Sequence, residues 1–512
     1  MIIDLDTEAG LDPGQVGAKA AWLALGRRAG LPVLPGLVVG APASRHHMEV
    51  GTAVLAARGS GAARLAVMSE PVAGADRLVE SASALGDHLV VRSSTPLEAS
   101  AEWSGAFASY LDIRPTELPK AVAGCWASAF TVASLERLRA AEIEPGSFPM
   151  AVLVQRELDP VAGGTAVIED DGTVVVHGIK GSPAPLLQGW VGGSRASRGE
   201  TWYGEELIGL IGEDMLDQIG EQIIEAQTSL GVTRCEWALE EGIWLLQMGT
   251  RGQAQIPTPP PVEVADPGLV AIARAAAKAP GRLGEELVLP WAIAGLPAPP
   301  SPPAEPSPLS TEEAFELRNH LVADVWGLPA DRAMAAAGEC IGTLLGPDPA
   351  SALPALEGAR PPDPEPARRL LSHVEASLRP SHATRLGIGR WEPFVASVTL
   401  AFGSGRVGIP ASPGVGAGVQ AHIGHPHAID VFRSRSVVTA PQPVPNLAPL
   451  LWDAAGLVTE TGSPAAHLFE SARALGIPAV AGVELPGGEH IMAVDGSSGL
   501  VATLSLNGDD DV

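Results

Sequence analysis

The chain has 512 residues, 46% of them hydrophobic, and a formal net charge of −26. That length exceeds one compact core, so about two to four globular domains are expected. The acidity, with no run of Lys or Arg longer than two, excludes nucleic acid and anionic membrane as expected partners. Cys125, Cys235 and Cys340 form no CxxC and no complete disulfide set, and the opening MIIDLDTEAG has no basic, apolar leader. No apolar run reaches the roughly 18 residues of a membrane span, so a cytoplasmic protein is expected.

Residues 1–255 alternate between two patterns. "HLVVRSS" (88–94), "MAVLVQREL" (150–158), "GTVVVHGI" (172–179) and "GIWLLQMG" (242–249) are short β-rich runs bounded by turn residues. Helices are predicted over 118–142 and 213–230, which makes the block α/β or α+β. Trp103, Trp237 and Trp244 read as core residues, His46 and His47 as surface residues. From 256 to 404 the composition turns proline-dense, in "IPTPPPVEV", "LPAPPSPPAEPSP" (296–308) and "RPPDPEP" (360–366). Such tracts are extended, semi-rigid spacers. Between them Ser310 and Glu313 form a capping-box pattern opening a helix over 311–325, so a small helical region is expected there.

The last block, 405–512, reads as a β/α/β unit. Strands are predicted at "SVVTA" (436–440), "AGLVTE" (455–460), "PAVAGV" (478–483), "HIMAVD" and "GLVATL", with a helix over 464–475. "HIGHPH" groups His422, His425 and His427, but it lacks carboxylates or cysteines at ligand spacing and reads as an exposed strand-turn rather than a metal site.

His467 falls in the first turn of the 464–475 helix. Ser463 suits the N-cap and Pro464 the first helical position, while Gly476 and Pro478 end the helix. Free N–H groups and partial positive charge at such a terminus oppose imidazolium and favour anions, phosphate included. A histidine there with a free lone pair is suited to attack phosphorus. Taken alone, it is also an ordinary polar residue at a helix start.

"GIPASPGVGAGV" (408–419), "PLLWDAAGLVTETG" (449–462), "HLFESARALGIPAVAGV" (467–483) and "AVDGSSGLV" (493–501) together resemble the mobile phosphohistidine domain of the phosphoenolpyruvate-utilising enzymes. That group includes pyruvate phosphate dikinase, phosphoenolpyruvate synthase and rifampin phosphotransferase. Under this resemblance His467 matches the phosphate-carrying histidine and Arg473 the arginine that follows it. Arg473 reads equally as an i,i+3 partner of Glu470. Ala466 stands where the family has Ser or Thr before the histidine.

"GQVGAKAAWLALGRRAGLPVLPGLVV" (14–39), "LVVRSSTPLEASAEWSGAFASYL" (89–111), "AVLVQREL" (151–158) and "CEWALEEGIWLLQMG" (235–249) resemble the ATP-grasp-like nucleotide-binding domain of the same enzymes. The resemblance implies that Gly14 and Gly17 let backbone approach a ligand. It puts Lys19 and Arg92 on the phosphates and Gln155 beside the adenine. Glu236 and Gln247, on neighbouring strands of a hairpin, would bind nucleotide and hold Mg2+. No Walker A motif is present, and a Glu and a Gln on a hairpin are by themselves a surface pair. The chain departs from the family pattern at Gly105-Ala106-Phe107-Ala108, at "GSPA" (181–184) and at Gly249, with Arg251 nearby.

The resemblance implies a multidomain α/β and α+β protein in three parts. These are an ATP-grasp-like domain (1–255), proline-rich linkers with a small helical, acceptor-binding region (256–404), and a swivelling β/α phosphohistidine domain (405–512). The layout is similar to rifampin phosphotransferase, and no phosphoenolpyruvate/pyruvate barrel is expected. The implied reaction is dikinase-type. ATP with Mg2+ gives AMP and phosphate through phospho-His467, and the β-phosphate passes to a small hydroxyl-bearing acceptor, free or carried by a partner protein. The proline-rich connections and the tract near 403–418 would permit the swing. Two other readings stay open: a degenerate, non-catalytic binding or assembly protein, and one subunit of a split phosphotransferase.

Overall fold

In the computed structural model of the chain the described residues are 2–250, 392–424 and 435–506, with residues 270, 273, 274 and 277. The proline tracts, the helix expected at 311–325 with Ser310 and Glu313, and Arg251, Cys340, His425 and His427 lie outside them. The described residues form two compact units. The first draws on those up to 250, on Gln442–Trp452 and on Thr461–Leu475. No helix among the described residues is long and apolar enough to cross a membrane.

The first unit contains two antiparallel sheets. One has the order β1 (Ile2–Asp4), β2 (Gly36–Val39), β5 (Ala151–Arg156), β3 (Leu89–Ser94) and β4 (Ser109–Ile113). Its middle strand is apolar at nearly every position because both of its faces are covered. Ala151 and Leu153 join a core built from Val16, Ala20 and Leu23 of α1 (Pro13–Arg28), whereas Val152 and Val154 join a second core. That second core comes from α2 (Arg45–Arg58), α3 (Ser60–Ser69), α4 (Ala75–Ser83), α5 (Leu118–Ala127) and α6 (Val132–Ala140). The helix expected over 118–142 is therefore two helices. A 3-10 turn, Ser128–Phe130, separates them, and Thr131 caps α6 by accepting from the Ser134 backbone N–H at 3.2 Å. His47, expected at the surface, is buried. It shares the inward face of α2 with Met48 and Gly51, and its ring lies 4.4 Å from that of Trp126.

The other sheet of this unit has the order β11 (Ile243–Gly249), β10 (Arg234–Leu239), β6 (Ala162–Ile168), β7 (Val174–Lys180), β8 (Ser194–Arg198) and β9 (Trp202–Tyr203). In the chain α7 (Ala184–Leu187) lies between β7 and β8, and α8 (Glu205–Ile211) and α9 (Glu213–Leu230) lie between β9 and β10; Leu216, Ile219 and Ile223 of α9 pack under the sheet with Trp237. The register aligns Gln247, Glu236, Thr165, His177 and Arg195 as successive cross-strand neighbours. Side chains paired across strands share a face, so one side of the sheet carries a polar row.

The second unit holds a mixed sheet, β12 (Ser404–Val407), β19 (Leu500–Ser505), β18 (His490–Asp495), β14 (Val415–His422), β15 (Val437–Ala440), β16 (Gly456–Thr459), β17 (Ala479–Ala481) and β13 (Ile409–Ser412). The four strands from β14 to β17 run parallel. Val437, Val458, Val480, Met492 and Val494 form its core, and α10 (Glu392–Phe402) buries Val395 and Val398. The tract near 403–418, expected to act as a hinge, is instead hydrogen-bonded strand in β12, β13 and β14. His422 ends β14, exposed, as the strand-turn reading expects. The remaining helix, α11 (His467–Leu475), belongs to the first unit. It starts later than expected: Ser463 closes a turn, with its Oγ accepting from Ala465 N and its carbonyl from Ala466 N, so His467 is the first helical residue.

Candidate active site

Four of the residues singled out by sequence, Lys19, Arg92, Gln247 and His467, line one cavity of about 510 Å³ within the first unit. That size suits a small-molecule ligand. Among the described residues lining it are Lys19, Arg92 and Arg137 but no Asp or Glu. In a chain of net charge −26, this is a local reversal of sign that favours an anion.

Lys19 is held on α1, where Nζ donates to Glu98 Oε1 at 2.5 Å. Gly17 explains how α1 comes so near β3. Its φ is +74°, and a Cβ there would stand 2.1 Å from the Ser94 carbonyl oxygen. The close approach is between two backbone segments, and the Gly14 N–H is bonded to Asp12 Oδ1. Arg92 links β3 to the β10–β11 hairpin. Its Nη1 donates to the Leu246 carbonyl at 2.6 Å, and its Nη2 to Glu236 Oε2 at 3.1 Å and Gln247 Oε1 at 3.2 Å. Glu236 and Gln247 are direct partners across that hairpin. Burial pushes the Glu236 carboxyl up, but the Arg92 and Arg234 guanidiniums beside it hold the group below the usual carboxylate range.

His467 meets two residues that sequence reasoning did not single out as site residues. Ser104 Oγ lies 2.8 Å from Nδ1, and Glu470 Oε2 lies 3.2 Å from the same nitrogen. Ser104 donates its hydroxyl proton to Glu470 Oε2 at 2.5 Å. Burial raises the Glu470 carboxyl, yet Arg234, the hydrogen bond from His467 and Arg473 bring it down to about 2. The carboxylate is thus ionised and can only accept. With the serine proton already spent, Nδ1 must be the protonated nitrogen, so in the neutral ring the lone pair lies on Nε2. Both partners sit on Nδ1, which differs from the serine–histidine–acid arrangement of hydrolases, where serine and acid occupy opposite nitrogens.

Several contacts fix this cluster. Arg234 Nη2 pairs with Glu470 Oε1 and reaches Glu236 Oε1 at 3.4 Å. Trp103, buried and stacked at 6.0 Å on Phe107, anchors the loop that carries Ser104. Gly105 has φ +65°, and a Cβ there would lie 3.1 Å from His467 Cδ2. Gly105 therefore provides the seat of the imidazole.

Arg137 also lines the cavity and was not flagged by sequence. Its Nη1 donates to the Ser104 carbonyl at 3.0 Å and its Nη2 to the Pro445 carbonyl at 3.1 Å. It is 1% exposed, and burial pushes it down to about 10. A signal existed in the sequence: Arg137 lies on the same helical stripe as the buried Ser134 and Leu138.

Two of the residues singled out are placed elsewhere. Gln155 is buried, and its amide donates to the Leu34 carbonyl at 2.9 Å. Arg473 donates from both Nη1 and Nη2 to the Pro464 carbonyl at 3.1 Å, closing the turn before α11. Behind Glu236 in the polar row, both ring nitrogens of His177 lack a hydrogen-bond partner among the described residues. Burial, with Arg195 and Arg473, lowers its pKa to about 3.

Two family models match the chain. Residues 67–183 match the AMP/ATP-binding domain of pyruvate phosphate dikinase, and residues 432–499 match the mobile domain of PEP-utilising enzymes. A probable phosphoenolpyruvate synthase of Staphylothermus marinus is 37% identical over 101 residues, covering 18% of this chain and 12% of the relative. The probable enzyme of Pyrococcus abyssi is 35% identical over 99 residues, and the phosphoenolpyruvate synthase of Pyrococcus furiosus 34% over 99, each with the same coverage of 18% and 12%. The chain thus spans about 12% of the length of these relatives. A solved chain, PH1788 from Pyrococcus horikoshii Ot3, aligns over 45% of this chain and 88% of its own, at 11% identity and a TM-score of 0.22, too low to bear on the fold.

Proposed function

We propose, for a chain that belongs to the phosphoenolpyruvate-utilising dikinase family, that it is an ATP-dependent phosphotransferase in which His467 carries the phosphoryl group. The observation that carries this reading is the position of His467, with Nδ1 engaged by Ser104 and Glu470, at the wall of a cationic cavity without carboxylates among its described lining residues. Nε2 attacks the β-phosphorus of ATP. The N–P bond forms as the bond to the α–β bridging oxygen breaks, and AMP leaves with the electron pair. Water then removes the γ-phosphate and leaves phospho-His467. Glu470 and Ser104 keep the Nδ1 proton in place and balance the positive charge that develops on the ring. Lys19 and Arg92 orient the phosphate chain, a reaction in which positioning and charge stabilisation supply most of the rate.

Mg2+ is part of this proposal. Glu236 and Gln247 offer one carboxylate and one amide oxygen from paired positions, a donor set that suits a hard cation completed by phosphates and water. The ion would supply neutralisation of phosphate oxygens. Arg92 bonds both groups, and in this proposal it turns from them towards phosphate when nucleotide binds. The histidine-bearing segment then swings to an acceptor, which we assign by class as a hydroxyl-bearing small molecule, free or held on a partner protein.

The test is incubation of the purified chain with β-labelled ATP and Mg2+, without acceptor, beside His467→Ala. Label on the wild type only, with AMP formed, supports the proposal. A folded wild type that takes no label and forms no AMP overturns it.

A further inference from the structure

We propose that Arg137 is a phosphate-binding residue of the cavity, receiving the oxygens of the phosphoryl group exchanged at His467. The inference rests on the phosphoryl-transfer reading and adds to it a residue outside the expected set.

Among the described residues three cationic side chains line the cavity, and they differ in one respect. Lys19 is paired with Glu98 and Arg92 with Glu236, so each already faces a buried carboxylate. Arg137 faces two backbone carbonyls and, among the described residues, no carboxylate. A guanidinium 1% exposed without a counter-charge is a costly arrangement. A bound anion relieves that cost, and the donors of the planar fork not spent on carbonyls match phosphate oxygens.

The position is specific as well. Ser104 gives its carbonyl to Arg137 and its hydroxyl to the His467 pair, so a single residue joins the guanidinium to the imidazole. Ser128, Thr131 and Asn446 line the same cavity and add neutral donors. A purely structural clamp between the Ser104 and Pro445 carbonyls would need two donors but no charge.

The experiment measures binding of inorganic pyrophosphate, ATP and adenosine to the full chain by calorimetry, for wild type, Arg137→Gln and Arg137→Lys. Arg137→Gln is expected to weaken pyrophosphate and ATP about tenfold or more, while adenosine binding stays within about twofold. Arg137→Lys keeps the charge but loses the fork, and weakens pyrophosphate by a smaller factor. Pyrophosphate bound as tightly by Arg137→Gln as by wild type makes Arg137 a clamp only and overturns the inference, with the proposed function intact. Should Arg137→Gln fail to fold, wild-type affinity in Arg137→Lys overturns it in the same way. A wild type that binds neither ATP nor pyrophosphate overturns both this inference and the proposed function.

Discussion

Ser104 Oγ stands 2.8 Å from His467 Nδ1 across 363 residues of chain. Ala466, next to the histidine in sequence, offers the ring no hydroxyl, and the loop after β3 brings one to it. Because Ser104 also donates to Glu470, its effect is to fix which ring nitrogen holds the proton.

Ser104→Ala is therefore expected to slow phosphohistidine formation about tenfold, the worth of one hydrogen bond that orients the ring. ATP affinity should stay near wild type, and Ser104→Thr should recover most of the rate. Rapid-quench measurement with labelled ATP across pH checks this. A rate equal to wild type at every pH would remove Ser104 from the mechanism.

The Arg234–Glu470 pair is buried on both sides, at 10% and 2% side-chain exposure. Removing the Glu470 charge leaves Arg234 only its longer 3.4 Å contact with Glu236, so Glu470→Gln should lose about 3 kcal/mol in urea unfolding. The double variant Arg234→Met/Glu470→Met should lose less than the sum of its singles. Strict additivity would show that the two charges are not coupled.

Gly105→Ala places a methyl group 3.1 Å from His467 Cδ2 on a backbone with φ +65°. The left-handed conformation costs about 1–2 kcal/mol for an L-residue, which lowers the melting midpoint by a few degrees. The larger effect should be on chemistry, since the ring must shift. Labelling of His467 measured beside a thermal melt separates the two, and full labelling at the wild-type rate contradicts the seat assigned to Gly105.

Acid should destabilise the first unit in two steps. His177 has a folded pKa of about 3 against an ordinary 6.5, so its contribution is complete above 6.5 and is lost as pH falls towards 3. Glu470 has a folded value of about 2 against 4.5, and its contribution is lost only as pH falls from 4.5 towards 2. His177→Gln should therefore flatten the stability profile between pH 6.5 and 4.5 and leave the lower step in place. Urea midpoints collected across that range test it, and an unchanged upper slope would assign the step to another group.

The sequence by itself determined what depends on near neighbours. Alternating and continuous apolar runs located β3, β5, β7 and β11. Local caps located α11, apart from its first turn, and the resemblance of 235–249 made the hairpin that pairs Glu236 with Gln247 legible. Lys19, Arg92, Gln247 and His467 were singled out because each sits in a segment that resembles the family, and the fold brings those four to one cavity. Only the tertiary structure decided which charges are paired. Arg92 meets Glu236 across 144 residues, Ser104 meets His467 across 363, and Arg137 is enclosed without a carboxylate. Gln155, equally prominent in its motif, is turned to the Leu34 carbonyl instead. Burial and charge pairing are properties of packed surfaces drawn from distant parts of the chain, and local spacing carries no record of which surfaces will meet.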